Sequence, residues 1–513
     1  METVFINGNS LTVEEIMAVS RNYAKVALDP SAIDVIKRSR EWVENIFSRR
    51  EPVYGINTGF GIFSEQKIPC EDSAQLSRNL ILSHAVGTGQ PLDEEVVRAA
   101  ILVRANTLAK GHSGVRLVII ETLLALLNKN LIPVIPSQGS LGSSGDLAPL
   151  SHLALVFTKD SDDLDKESGH AIYQGVKLSG KEAMARAGIP RVILEAKEGL
   201  ALNNGATFSA AIAALAIYDV ETLLNTANVS LAMTLEAVMG CSAAFDERIH
   251  RARGHQGQLQ VAAAVRELTK YSSLIDCQSR TQDAYSLRCA PQVQGICWDT
   301  LAFASMTIER EINAATDNPL LFEPGKALSG GNFHGEPVGL VMDFLSIALA
   351  EIGSISERRT FRLLDGHLNA DLPTMLVDSP EAAGLNSGLM MPQYTAASLV
   401  LENQGLASPA SVHSLPTSAE QEDHNANSMT ASRKTRQIIR NTGYILAIEI
   451  YTAARGLTFR LRKDKKVALG WGTSLAYETV REKVPYQAGD AWWGPEIDLV
   501  YQMVLNRAFV LNR

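Results

Sequence analysis

Three stretches in the second half of the chain, 208–244, 293–315 and 339–362, are rich in Ala and Leu with little polar interruption. A fourth, 432–456, is basic in its first half and apolar in its second. A helix apolar on most sides must be buried on most sides. These stretches therefore predict a mainly α fold built on a long central helical bundle. The rest of one chain can hardly cover all four, so the chain is expected to associate with copies of itself. The N-terminal part reads differently. Strands are expected at 3–6 and 132–135, with a hairpin around Tyr173-Gln174-Gly175. Residues 90–95 read as a helix start, with Pro and acids in the first turn, and Lys110-Gly111 as its stop; a further helix is expected over 113–130. The chain thus divides into a smaller mixed α/β part, 1–205, and a long-helix bundle with a C-terminal helical layer, 206–513.

The most reactive stretch is Gly139-Ser140-Leu141-Gly142-Ser143-Ser144-Gly145-Asp146-Leu147-Ala148-Pro149. A Ser before Gly-Asp in such a turn can build an electrophile from backbone. The Gly145 nitrogen attacks the Ser143 carbonyl carbon, closing a five-membered ring around Ser144, which then loses its hydroxyl to leave an exocyclic methylene. Gly145 has no Cβ, so its nitrogen can approach a carbonyl two residues back in a compressed geometry. A flexible Gly/Ser linker is the ordinary meaning of such composition. Aliphatic runs on both sides, Leu-Ile-Pro-Val-Ile-Pro before and Leu-Ser-His-Leu-Ala-Leu-Val after, argue against it. A phosphate cradle is the other alternative. Glycines at 139, 142 and 145 fit neither G-x-G-x-x-G nor G-x-x-x-x-G-K-[ST].

Further segments follow in order. Tyr54-Gly55-Ile56-Asn57-Thr58-Gly59-Phe60-Gly61 is a Gly-rich loop around a tyrosine, and Glu198-Gly199-Leu200-Ala201-Leu202-Asn203-Asn204-Gly205 carries paired asparagines. Gln282-Asp283-Ala284-Tyr285-Ser286-Leu287-Arg288, then Ser329-Gly330-Gly331-Asn332-Phe333-His334-Gly335 and Gln421-Glu422-Asp423-His424 complete the set. Together these segments resemble the aromatic amino acid ammonia-lyases, whose fold is of the ammonia-lyase and fumarase–aspartase type. The resemblance runs from Tyr54 to His424. Its departures are Ser143 where the family usually has Ala, Asn203 for an aliphatic, Ala206 for Thr, an acidic run over 160–167, and Asn425-Ala426-Asn427 before Ser428.

The resemblance implies a 4-methylideneimidazol-5-one (MIO) group formed from Ser143, Ser144 and Gly145, with no metal. It makes Tyr54 the candidate base, and Arg288 the clamp on a substrate carboxylate, for which a guanidinium fork suits. Tyr285, Asn204 and Gln282 would support the MIO group or the substrate, Phe333 would wall the pocket, and Glu422 would pair with the substrate or relay a proton. An ordinary phenol has a pKa of about 10, so Tyr54 is expected to be lowered by nearby positive charge or helix N-termini. Ser83-His84 closes a helical segment in which Leu76, Leu80 and His84 recur every four residues, so the imidazole is expected on the inward face. Members acting on histidine resemble this Ser-His pair. His84 and Glu422 would partner the two ring nitrogens of an imidazole, and leaving either unpaired costs about 1–3 kcal/mol. The expected reaction is ammonia elimination from L-histidine to trans-urocanate, which opens histidine degradation. Two rivals are a tyrosine or phenylalanine lyase or aminomutase on the same electrophile, and a non-catalytic helical scaffold with an uncyclised turn.

Composition sets the remaining bounds. The chain has 513 residues, 46% hydrophobic, and a net charge of −9, with basic patches only around 433–440 and 460–466 and no aromatic interleaving. Nucleic acid is not an expected partner. The five cysteines, Cys70, Cys241, Cys277, Cys289 and Cys297, contain no C-x-x-C and point to buried thiols in a cytoplasmic, reducing setting. No secretion signal is read at the N-terminus. The apolar helices are expected to be broken by Asp219, Glu221 and Asn225, or by Asp343, before reaching membrane-spanning length. From the resemblance, a homotetramer with sites assembled from three subunits is expected.

Overall fold

A computed structural model describes residues 3–49, 52–323 and 325–511. The chain divides into two compact units, each built from three segments. One comprises Met1–Ile217, Ser305–Asp343 and Pro409–Arg433; the other comprises Tyr218–Ala304, Phe344–Ser408 and Lys434–Arg513.

The first unit carries all strands among the described residues, in five small sheets. The hairpin expected at Tyr173-Gln174-Gly175 pairs His170–Tyr173 with Val176–Ser179, and Ile132–Pro133 adds a third strand. Gln174 and Gly175 both take positive φ, the turn that matches the right-handed twist of the strands. The helix expected over 113–130 spans Leu117–Lys129 and ends on Asn130 in the left-handed conformation. The start signal at 90–95 was read too early. Thr88–Pro91 forms a strand paired with Pro136–Gln138, and the helix begins only at Glu94. Pro91 sits on the strand because an edge strand tolerates a residue without N–H.

Helix Glu94–Ala109 is buried from Val96 to Ala109 on every side. It also brings Arg98 and Arg104 into the core. Arg98 donates to the Val19 carbonyl and, at 2.7 Å, to Asn130 Oδ1. Arg104 donates to the carbonyls of Ala201 and Asn204. Lys197 and Asp317 form a buried charge pair at 2.5 Å, with no exposed side-chain surface on either partner. Asp317 also accepts from Ser113 Oγ at 2.8 Å.

The four long helices span Thr207–Ala237, Ala290–Glu311, Glu336–Leu364 and Ser428–Lys463. The first stops short of 244 because Met239 turns to positive φ just before Gly240. The expectation that charges keep these helices below membrane-spanning length is not met. Thr207–Ala237 and Glu336–Leu364 run for 31 and 29 residues and hold apolar windows of mean hydropathy 1.4 and 1.8. Those windows are 83% and 67% buried within the protein, as core helices are. Asp219 and Asp343 are accommodated rather than disruptive. The Asp343 carboxylate, for example, accepts the backbone N–H of Ala410 and of Ser411.

In the second unit, Arg359 and Glu449 meet through two hydrogen bonds of 2.5 and 2.8 Å, both side chains fully buried. Thr234 and Ser356 donate to the same carboxylate at 2.8 and 2.6 Å. Every carboxylate oxygen there is satisfied, which a buried ion pair requires.

Candidate active site

The reactive turn is held from three sides. Asp146 is fully buried and collects Ser140 Oγ at 2.7 Å, Ser209 Oγ at 2.9 Å and Ser209 N–H at 2.8 Å. It thereby ties the entry of the turn to the first turn of helix Thr207–Ala237. Leu141 and Gly142 are fixed through their carbonyls, which accept from Asn427 N–H at 2.8 Å and Gly335 N–H at 2.9 Å. The departure at Asn425-Ala426-Asn427 thus fastens this turn. Asn427 also donates to the His413 carbonyl, and Asn425 accepts from Leu415 N–H.

Gly145 has φ of 78° and runs beside Gly205 in a parallel bridge. A Cβ on Gly145 would stand 2.1 Å from the Gly205 carbonyl carbon. Both conformation and space therefore require glycine. The Ser144 carbonyl oxygen accepts Asn204 Nδ2 at 2.8 Å and Gly205 N–H at 3.1 Å. Behind this pair, Arg104 donates to the Asn204 carbonyl at 2.6 Å and keeps its backbone in place. Burial pulls the Arg104 guanidinium down to about 10, against the pull of Asp317 and Asp146. It stays charged at neutral pH.

The turn opens on a cavity of about 1390 Å³ in the first unit, whose lining includes Ser143, Ser144, Asn204, Tyr54, Ser83, His84, Phe333 and Glu422. Tyr54 comes from its Gly-rich loop, its ring edge-on to Phe60 at 6.4 Å. Burial and the nearby Glu422 carboxylate raise the phenol above its ordinary value, opposed only by a hydrogen bond from Gly61 N–H. The expected lowering does not occur within this unit, because the phenol is buried and the charge facing it is negative. His84 ends helix Ser73–His84 and is half-buried at the cavity, with Nδ1 2.9 Å from Ser83 Oγ. Burial lowers its pKa, with the Leu80 carbonyl and Glu422 opposing. This favours the neutral imidazole. Glu422 lies in the loop over 411–424, where its backbone pairs with Thr417, and its carboxylate accepts Ser143 Oγ at 2.7 Å.

The structure thus brings nine of the twelve candidate residues together: Tyr54, Ser83, His84, Ser143, Ser144, Gly145, Asn204, Phe333 and Glu422. Gln282, Tyr285 and Arg288 are carried by the second unit, outside this lining. Tyr285 is 70% exposed, and the Arg288 guanidinium stacks 4.7 Å from its ring centre. Sequence reasoning missed Asp146, Arg104 and the stacked rings of His334 and His424, 5.8 Å apart at the cavity wall. The Ser-Gly-Asp motif held the signal for Asp146. An arginine within an apolar helical run was the signal for Arg104.

Comparison with known proteins agrees with this geometry. The profile of the aromatic amino acid lyase family matches residues 11–482. The chain is 50% identical over 487 residues to the histidine ammonia-lyase of Caldanaerobacter subterraneus subsp. tengcongensis, covering 94% of this chain and 93% of that one. It is 47% identical to the histidine ammonia-lyase of Alkaliphilus metalliredigens, covering 99% and 98%. Among solved structures, histidine ammonia-lyase from Trypanosoma cruzi superimposes with a TM-score of 0.90 at 36% identity, covering 99% of this chain and 94% of that one. Tyrosine aminomutase from Streptomyces globisporus superimposes with a TM-score of 0.92 at 35% identity, covering 99% and 98%. On the family match over most of its length and this full-length similarity, the chain belongs to the aromatic amino acid lyase family.

Proposed function

We propose that this protein is a carbon–nitrogen lyase that eliminates ammonia from L-histidine to give trans-urocanate. The observation that carries this reading is the placement of His84 and Glu422 on one cavity with the Ser143-Ser144-Gly145 turn. An imidazole has two ring nitrogens to satisfy; a phenyl ring has none. A neutral His84 and a carboxylate offer both, and a site built around such groups rejects rings that leave them unpaired.

The turn fits an MIO group. Forming the ring joins Gly145 N to the Ser143 carbonyl carbon. One water leaves with the carbonyl oxygen, the other with the Ser144 hydroxyl and its Cα proton. The Ser144 carbonyl already holds two donors, and Gly145 already takes a left-handed backbone conformation that other residues disfavour. When formed, the group supplies an electrophilic methylene that makes the substrate's amino group a competent leaving group. The other residues bind and move protons. Asn204 Nδ2 and Gly205 N–H hold the Ser144 carbonyl oxygen and would stabilise negative charge on it. Tyr54, as phenolate, takes the β-proton. His84 and Glu422 orient the imidazole, and Phe333 and Leu200 exclude water around it.

Gln282, Tyr285 and Arg288 belong, in this proposal, to a neighbouring copy that completes the site of a homotetramer, with Arg288 binding the substrate carboxylate. Exposed apolar side chains on the second unit's helices support association, among them Ile296, Ile347 and Leu401 at 55%, 45% and 68% exposure. All five cysteines are free, which suits a cytoplasmic enzyme. Incubation with histidine, tyrosine and phenylalanine separately tests the reading. Urocanate from histidine is expected; cinnamate, coumarate or a β-amino acid without urocanate would overturn it.

A further inference from the structure

The Ser143 side chain makes a contact that ring closure does not explain. Cyclisation spends the Ser143 carbonyl, the Ser144 hydroxyl and the Gly145 nitrogen; the Ser143 hydroxyl takes part in no bond that forms or breaks. Yet this hydroxyl, on a residue only 7% exposed, donates to Glu422 Oε2 at 2.7 Å. It is the single hydrogen bond that the Glu422 carboxylate accepts among the described residues. The two ends of the contact differ in rigidity. Ser143 belongs to a turn clamped by Asp146, Asn427 and Gly335. Glu422 belongs to a loop whose residues over 412–416 and 418–421 are exposed, fixed locally by its backbone pairing with Thr417. A glutamate on such a loop has several rotamers open to it, and immobilising it costs entropy at each binding event unless something fixes it beforehand.

We propose that the Ser143 hydroxyl is a specificity-determining positioning residue: it pre-orients Glu422 so that the second carboxylate oxygen, Oε1, faces the substrate's imidazole. A hydrogen bond from a hydroxyl to a carboxylate is among the stronger ones, so the contact fixes the orientation of the side chain. The turn that becomes the electrophile therefore also selects the ring of the substrate. The two roles lie on adjacent residues, Ser144 for the chemistry and Ser143 for recognition. This inference rests on the histidine reading above.

The test uses the full-length enzyme and its Ser143→Ala and Ser143→Thr variants. Intact mass establishes that each carries the ring. Histidine turnover then gives KM and kcat, and calorimetry gives the affinities of trans-urocanate and of cinnamate, which carries the same acrylate on a phenyl ring that has no nitrogens. In Ser143→Ala the ring is expected to form, KM for histidine and the dissociation constant for trans-urocanate to rise about tenfold, and cinnamate affinity to stay unchanged. Ser143→Thr, which keeps the hydroxyl, is expected to restore most of the urocanate affinity. In a Glu422→Gln background, Ser143→Ala is expected to cause a much smaller further loss, and this holds as the deciding cycle if a single variant folds poorly. Urocanate affinity within twofold of wild type in Ser143→Ala, an equal loss for cinnamate, or failure of the ring to form would each overturn the proposal. If wild type makes no urocanate, the histidine reading itself falls. If wild type makes urocanate and Ser143→Ala matches it, only the role of Ser143 falls.

Discussion

Asn204 donates its side-chain amide to the carbonyl oxygen of Ser144 at 2.8 Å, while the backbone N–H of Gly205 approaches the same oxygen at 3.1 Å. Two donors on one carbonyl make a preorganised site for negative charge, and Arg104 anchors the backbone that presents them. Removing one such donor typically costs about 10²–10³ in rate. Asn204→Ala is accordingly expected to lower kcat for histidine by that order, measured by urocanate production, with urocanate affinity little changed.

Gly145→Ala is expected to block ring formation. Its φ of 78° disfavours any L side chain, and the added Cβ would lie 2.1 Å from the Gly205 carbonyl carbon. An unprocessed mass together with a lower melting temperature would bear this out. A processed mass would show that the contact with Gly205 can relax.

Tyr54 gives a pH signature. Burial and Glu422 raise its phenol, so the phenolate is the minority form at neutral pH. If Tyr54 takes the proton as phenolate, kcat/KM rises between about pH 6 and about pH 9, and Tyr54→Phe loses about 10²–10⁴ of the rate. A profile independent of pH over that range would point to a different base. For stability the sign differs between groups. The raised Tyr54 contributes stability that is present below about pH 10, its unfolded value, and is lost as pH rises further. The lowered His84 contributes stability that is present above about pH 6.5 and is lost as pH falls through its folded value, because the unfolded chain takes up the proton first.

Glu236 supplies a stability test away from the cavity. Burial pushes its carboxyl up to about 7, with Gly470 N–H on Oε1 at 2.7 Å. A raised carboxyl contributes stability fully present below its unfolded value, about 4.5, and lost as pH rises through about 7. Glu236→Gln is expected to gain stability relative to wild type at pH 8 to about pH 9, and little at about pH 5. Denaturant midpoints at both pH values check this; an equal effect at both would show that the carboxyl is not raised.

Breaking the buried pair of Lys197 and Asp317 is expected to be costly. Lys197→Met leaves Asp317 charged and without its cation in the core, at a cost of about 3–5 kcal/mol. Urea unfolding measures it, and a loss below about 1 kcal/mol would mean that Asp317 takes up a proton or finds Arg104 instead.

Much of the fold was legible because long apolar runs have one economical solution. The stretches at 208–244, 293–315, 339–362 and 432–456 correspond to helices Thr207–Ala237, Ala290–Glu311, Glu336–Leu364 and Ser428–Lys463. Helix ends were less legible, because they depend on one residue's backbone. Met239 ends one helix by turning to positive φ, and nothing in its side chain announces this. Pro91 misled for a related reason: the same fixed φ suits a helix start and an edge strand, and pairing with Pro136 decided the outcome. At the site, residues with reactive groups in glycine-rich segments were readable. Asp146 and Arg104 were not, because their roles consist of contacts with segments far along the chain, Ser209 for one and Asn204 for the other. The phenol of Tyr54 was expected to be lowered by positive charge or helix N-termini; it is raised, by burial first and also by Glu422, and no local pattern encodes where either comes from.

The intact mass of freshly purified, active protein, measured beside that of Ser144→Ala, tests the account most directly. Cyclisation predicts a wild-type mass lower by two waters than the sequence requires, and a Ser144→Ala protein that folds, lacks the hydroxyl whose loss makes the exocyclic methylene, and turns over no histidine. A wild-type protein that converts histidine to urocanate while weighing the full mass of its unmodified chain would contradict it.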